Sequence, residues 1–169
     1  MKIVAPHTII SKPLPQDTNL EVIGNIVFTC PVNIQSLKVD GNVTIKDHFS
    51  TDCFICNGNL ISYGNLDIIT GIITGNCTIY DGADFDTLDI RMSLTNFGEL
   101  LGSDLTIGKK FFSLYYVTVD SLTIGGQCST ITDYLVVNKK LCVRGKTKFY
   151  PESCVKWEHF GIPVPYCKR

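Results

Sequence analysis

At 169 residues, 44% hydrophobic and 18% charged, the chain has the length of one domain and the composition of an ordered soluble protein, which excludes disorder over most of it. A formal net charge of −1 gives no overall attraction to nucleic acid or a membrane surface, and no apolar run reaches the roughly 18 residues a spanning helix needs. The charge is uneven along the chain: residues 1–104 carry 5 Lys/Arg against 12 Asp/Glu, net −7, and residues 105–169 carry 10 against 4, net +6.

The N-terminal stretch MKIVAPHTIISKPLP starts like a secretory signal, with Lys2 before apolar residues, but His7 and three prolines (Pro6, Pro13 and Pro15) break the apolar region. The protein is therefore expected to stay in a reducing compartment, the cytoplasm. Residues 1–19 do not fit the pattern that follows and are read as an arm or a cap.

From Leu20 the chain is periodic. Gly-Asn recurs at Gly24, Gly41, Gly58 and Gly75, a constant step of 17 residues, and rows of that length begin at Leu20, Leu37, Phe54, Gly71, Leu88, Leu105 and Leu122. The third position of the rows reads Val22, Val39, Cys56, Ile73, Ile90, Ile107 and Ile124. The seventh reads Ile26, Val43, Leu60, Cys77, Leu94, Phe111 and Cys128. A further column reads Val32, Phe49, Leu66, Ala83, Leu100, Val117 and Tyr134, followed two residues later by Ile34, Thr51, Ile68, Phe85, Gly102, Val119 and Val136. Each row thus holds three short alternating apolar pairs. Period-two alternation with β-branched residues means strands with one buried face, and hairpins would break the column register. A chain winding in one direction stacks like on like.

The expected fold is all-β: a single-stranded parallel β-helix (β-solenoid) of about seven coils of 17 residues, with three short strands per coil and residues 20–149 forming the helix. At about 4.8 Å per coil it makes a rod on the order of 35 Å long. The repeated Gly is expected at a sharp corner with φ > 0, and the Asn beside it in a stacked amide ladder.

Cys56, Cys77 and Cys128 fall in inward columns, as small buried hydrophobes do. The pair Cys53 and Cys56 has half the spacing of a zinc site but no second pair to complete it, so no metal or other cofactor is expected. His7, His48 and His159 lie too far apart along the coils to share a metal. His48, in a turn of the second coil, is the one candidate base for an acyltransferase-like enzyme, since such enzymes use comparable coils. Asp81, Asp84, Asp86 and Asp89 lack calcium-loop spacing and read as a solvated face. Outward threonines stand singly, without the paired arrays of ice-binding solenoids.

One column points to an interaction. Tyr63, Tyr80, Phe97, Leu114 and Ile131 recur at one turn position, with Phe112, Tyr115 and Tyr116 nearby. If that turn faces solvent, it forms an apolar stripe of the kind that marks a contact surface; if it tucks inward, it is core. After Thr132 the beat slips, and LCVRGKTKF resumes the template from Leu141 two residues late, which implies an insertion. The basic residues Lys139, Lys140, Arg144, Lys146 and Lys148 gather there. Residues 150–169 hold Trp157, Phe160, Pro163, Pro165 and Tyr166 and are read as a cap over the open end, flanked by Cys154 and Cys167.

The rows LEVIGN and LKVDGN, over roughly residues 20–131, resemble the bactofilin family of short triangular β-helices, whose subunits join end to end into cytoskeletal filaments. The resemblance implies a non-catalytic structural protein whose partner is protein, itself or an assembly. The aromatic C-terminal cap departs from the open ends of that family and weighs against simple filament growth. Heavy use of Ile, Asn, Thr, Asp and Cys suggests an AT-rich coding genome, which adds a virion or effector scaffold to the readings. The alternatives are a carbohydrate- or anion-binding module, using the aromatic stripe or the basic cluster, and the acyltransferase-like enzyme.

Overall fold

The computed structural model describes residues 1–130 and 135–149, with the backbone alone described at 128–130 and 147–149. Among them there is no helix. Sixteen strands form one parallel sheet wound into a β-solenoid of about eight turns.

Each full coil contributes one long strand and one of three residues. The long strands are β2 (Asn19–Phe28), β3 (Val32–Asp40), β5 (Phe49–Cys56), β7 (Leu66–Ile73), β9 (Gly82–Ile90), β11 (Glu99–Ile107), β13 (Val117–Ile124) and β15 (Leu135–Val143). The short ones are β4 (Val43–Ile45), β6 (Leu60–Ser62), β8 (Cys77–Ile79), β10 (Leu94–Asn96), β12 (Phe111–Ser113), β14 (Cys128–Thr130) and β16 (Thr147–Phe149). From β3 to β13 every long strand pairs with the next at an offset of 17, as in Val32↔Phe49, Phe49↔Leu66 and Leu66↔Ala83.

A long strand covers two sides of the solenoid because its alternation changes phase in the middle. In β3, Val32 and Ile34 point inward, Gln35 and Ser36 do not, and Leu37 and Val39 point inward again. Two non-buried residues in succession turn the chain through a corner without breaking the ladder. The short strand supplies the third side. Core columns therefore stack coil on coil: Leu20, Leu37, Phe54, Leu88, Leu105 and Leu122 are all buried, as are Val22, Val39, Cys56, Ile73, Ile90, Ile107 and Ile124. Phe28, Phe49 and Phe54 fill the N-terminal coils, with ring centroids 5.0 and 5.9 Å apart. Burial of such side chains stabilises by roughly 1.5–3 kcal/mol each.

Residues 1–19 supply β1 (Lys2–Ile10), which lies parallel on β2 from Lys2↔Glu21 to Ile10↔Phe28. Its offset changes from 19 to 18 between Val4 and His7, so this first turn follows a different beat from the rest. Ile3, Ile10 and Leu14 pack on the end of the core.

Three expectations need correction. Gly24, at φ +125°, has the left-handed backbone expected of the repeated glycines, but Gly41, Gly58 and Gly75 do not. They are required by space: a Cβ on Gly41 or Gly58 would run into the carbonyl oxygen of the glycine one coil earlier. From Leu141 the last coils are two residues late, as expected, and the delay builds in two steps that displace the column at Tyr134 and Val136. Val117 pairs with Leu135 at an offset of 18 and Ser121 with Lys140 at 19, so one extra residue precedes β15 and another lies within it. The buried pair there is Leu135 and Val137, not Tyr134 and Val136; Tyr134 lies outside the described residues, and Val136 is only half-buried. Third, the inward position closing each short strand is not apolar throughout. It reads Phe28, Ile45, Ser62, Ile79, Asn96 and Ser113, and the last of these polar groups, like the other two, is fully buried.

Candidate interaction surface

Every short strand lies between two corners. One is the Gly-Asn corner, entered at residues 40–42 and their equivalents; the other, at residues 46–48 and their equivalents, carries the aromatic column.

At the Gly-Asn corner the asparagine side chains link successive coils. Asn42, Asn59 and Asn76 each donate a backbone N–H to the side-chain oxygen of Asn25, Asn42 and Asn59, at 2.8, 2.9 and 2.8 Å. Asn59 also donates its side-chain amide to Asn42 at 3.1 Å. Beneath this corner lies the thiol of Cys56, which donates to the carbonyls of Gly41 and Asn59 at 3.5 and 3.6 Å. Burial pushes this thiol up to about 11 and pushes that of Cys77 higher still.

The aromatic corner faces outward, which decides the question left open by the sequence. Tyr63 is 51% exposed, Tyr80 45% and Leu114 40%, with Phe97 half-buried between them. Tyr63 and Tyr80 stack at 4.9 Å with planes 4° apart, and Tyr80 and Phe97 at 5.0 Å and 9°. That separation follows from the coil spacing, since equivalent side chains in a parallel ladder lie about 4.8 Å apart. Tyr115 and Tyr116 meet edge to face at 4.8 Å beyond Leu114. Ile131 lies outside the described residues.

The inward polar residues hold this corner from behind. Ser62 donates to the Gly64 carbonyl at 2.7 Å; Asn96 donates to the Gly98 carbonyl at 2.5 Å and to the Ser113 hydroxyl at 2.9 Å, and accepts from the Gly98 N–H. Ser113 donates to the Tyr115 carbonyl at 3.1 Å. Each side chain satisfies backbone two residues ahead and so fixes the turn that displays the aromatic ring. Apolar columns alone do not reveal these three residues; their polar identities, read down the same 17-residue rows, do.

Between the corners the outward residues of the short strands are Thr44, Ile61, Thr78, Thr95 and Phe112, which stand in lateral register. Across Gly58–Tyr63, Gly75–Tyr80 and Met92–Phe97 this side contains no Asp, Glu, Lys, Arg or His. The side formed by the first halves of β5, β7, β9 and β11 is its opposite. There Asp52, Asp67, Asp84 and Asp86 line a groove of about 460 Å³ with Ser50, Ile69 and Leu101. Burial, with a contribution from Asp67, raises the Asp84 carboxyl above its ordinary value. The groove collects Asp84 and Asp86 with carboxylates one and two coils away, while Asp81 and Asp89 lie outside its lining. Among the described residues no group of three or more His, Cys, Asp or Glu is placed to hold a metal ion.

His48 is exposed and its Nε2 lies 3.4 Å from Asp67 on the next coil. Among the described residues Cys30, Cys53, Cys56, Cys77 and Cys142 are all free thiols. Cys53 and Cys56 diverge, the first half-buried and the second in the core. The basic cluster gathers on the last described coils. Lys139 bonds to Asp120 at 2.7 Å and, with Asn138, holds that carboxyl below its ordinary value; Lys140, Arg144 and Lys146 are exposed. Lys148 lies in β16, its side chain outside the described residues, as is the whole proposed C-terminal cap with Trp157, Cys154 and Cys167. No helix among the described residues is long and apolar enough to cross a membrane.

No family model matches the chain, and no curated protein and no solved structure matches it.

Proposed function

We propose that this chain is a non-catalytic structural or assembly protein, a rigid β-helical rod that packs against itself or within a larger assembly. The observation that carries this reading is the outward aromatic column, continued by Leu114, Tyr115 and Tyr116 and set on a side with no charge across three coils. A monomer in water gains nothing by exposing such a stripe, whereas a contact surface does. The ladder behind it makes the stripe stiff, so little conformational entropy is lost when it is covered. A cytoskeletal, virion or effector scaffold fits this behaviour, and the bactofilin-like coils offer one precedent for rods that assemble. The five free thiols among the described residues suit a reducing interior such as the cytoplasm.

The carbohydrate reading is weakened by the same geometry. Sugars stack on ring faces, but the faces of Tyr63, Tyr80 and Phe97 lie against one another and offer mostly edges. Anion binding rests on Lys140, Arg144 and Lys146 and has no further support from the stripe.

Light scattering across a concentration and salt series tests the proposal. Masses above the 18.7 kDa monomer are expected as concentration rises. A monomer throughout, with saturable binding on a glycan array or to a polyanion, would overturn it in favour of the ligand-binding alternative.

A further inference from the structure

Resting on that assembly reading, we infer that the uncharged side is a self-complementary interface on which a second copy of this chain packs antiparallel, about a two-fold axis passing near Thr78 and Tyr80.

The first argument is charge. A two-fold contact sets a surface against itself, so a charged side would meet its own sign. The groove side, with Asp52, Asp67, Asp84 and Asp86, is unsuited. The side carrying Ile61, Thr78, Thr95 and the aromatic column has no ionisable charge across Gly58–Tyr63, Gly75–Tyr80 and Met92–Phe97, with Asp81 just beyond Tyr80 at its edge.

Direction follows from the strand order, which runs progressively along the axis from β1 to the β15 and β16 end. Residues 1–104 carry net −7, and the described residues from 105 to 149 carry 7 Lys/Arg against 1 Asp/Glu. Residues 1–51, the coils that antiparallel copies lay beside the basic end, carry 4 Lys/Arg against 4 Asp/Glu, so the basic end meets a neutral one, whereas parallel copies oppose basic to basic.

Register follows from symmetry. With the axis at the β8 coil, the β6 coil meets the β10 coil and the β4 coil meets the β12 coil. This in-plane axis keeps each corner opposite its own kind. At the Gly-Asn corner, exposed Asp40 comes beside Lys109 and Lys110 of the second copy; at the aromatic corner, exposed Lys46 comes beside Tyr115 and Tyr116. The first contact is an ion pair and the second a cation–π contact. Asp81, next to Tyr80 near the axis, meets its own copy there and is the one unfavourable pairing of this register. Five coils at about 4.8 Å and six residues of width at about 3.3 Å give a strip of about 24 by 20 Å. Covering it on both copies removes about 1,000 Å², the lower limit for a specific interface, so a dimer of modest affinity is expected.

Sedimentation velocity of the full chain tests this, with strand content checked by circular dichroism for every variant. The wild type is expected to dimerise and to remain dimeric at high salt, since the centre is apolar. Tyr80→Asp is expected to weaken the dimer by about 100-fold. Lys110→Glu or Asp40→Lys alone weakens it by roughly threefold to tenfold, and combining both in one chain restores it, because each residue faces the other across the axis. Asp81→Asn tightens it. Self-association in which the combined charge exchange fails to restore what the single changes lose overturns the antiparallel register and leaves the assembly reading standing. A wild-type monomer at every concentration overturns the pairing and removes self-assembly with it.

Discussion

The Gly-Asn corner and the aromatic corner flank the same three-residue strands, repeat on the same 17-residue beat, and are held in opposite ways. At the first, the ladder is made by polar side chains on the outside, Asn25 to Asn76, and the glycines leave room for the neighbouring coil. At the second, polar side chains work from inside, through Ser62, Asn96 and Ser113, and the outside is left to apolar rings. A corner secured by its exposed residues cannot change its surface without loss of stability; a corner secured from within can. The second is therefore where an interaction surface is free to develop.

That contrast can be broken from either side. The largest effect is expected from Gly58→Ala. Its added Cβ would run into the Gly41 carbonyl, a backbone atom fixed by the ladder, so a loss of about 3 kcal/mol or more is expected in urea unfolding. Alkaline pH strikes the same corner. An unfolded thiol ionises near its ordinary value of 9.0, while Cys56 holds its proton to about 11. Over that interval the unfolded state binds fewer protons than the folded one, so stability is unaffected below about pH 9 and falls as pH rises toward 11. Denaturant midpoints at pH 8 and pH 10.5 check the sign, and Cys56→Ala should flatten part of the slope.

At the aromatic corner, Asn96→Ala removes the partner of the buried Gly98 backbone and of Ser113 and is expected to cost about 2 kcal/mol. Tyr80→Ala deletes two ring stacks at an exposed site, with a smaller loss of about 1–1.5 kcal/mol but a marked fall in self-association. Asn59→Ala, which leaves the Asn76 N–H to water, should cost about 1 kcal/mol. If Tyr80→Ala proves more damaging to stability than Asn96→Ala, the aromatic column is structural cement and the contrast between corners fails.

The solenoid was legible because its signal is geometric. Strands one lap apart must place Ile73 beside Ile90, and only a fixed residue count achieves that, so the beat survives where Gly-Asn is lost. Backbone detail was less legible. A repeated glycine looks the same whether it answers a positive φ, as at Gly24, or a neighbour's carbonyl, as at Gly58. The orientation of the Tyr63 column was undecidable from hydropathy, because the residues that turn it outward are buried polar ones. The split insertion around Leu135 was blurred for a related reason: one extra residue resets the inward phase, and a second one a few residues later restores it, so only the sum shows in the sequence.

The uniform offset of 17 from β3 to β13 also makes length a quantised property of this molecule. Removing one lap, for example residues 58–74, would rejoin equivalent positions and shorten the rod by about 4.8 Å without changing the strand register of any surviving lap. It would also move the midpoint of the exposed column by half that step, away from a residue row and into the gap between two rows. The molecule can thus act as a ruler with discrete marks, and the parity of its laps decides what stands at the centre.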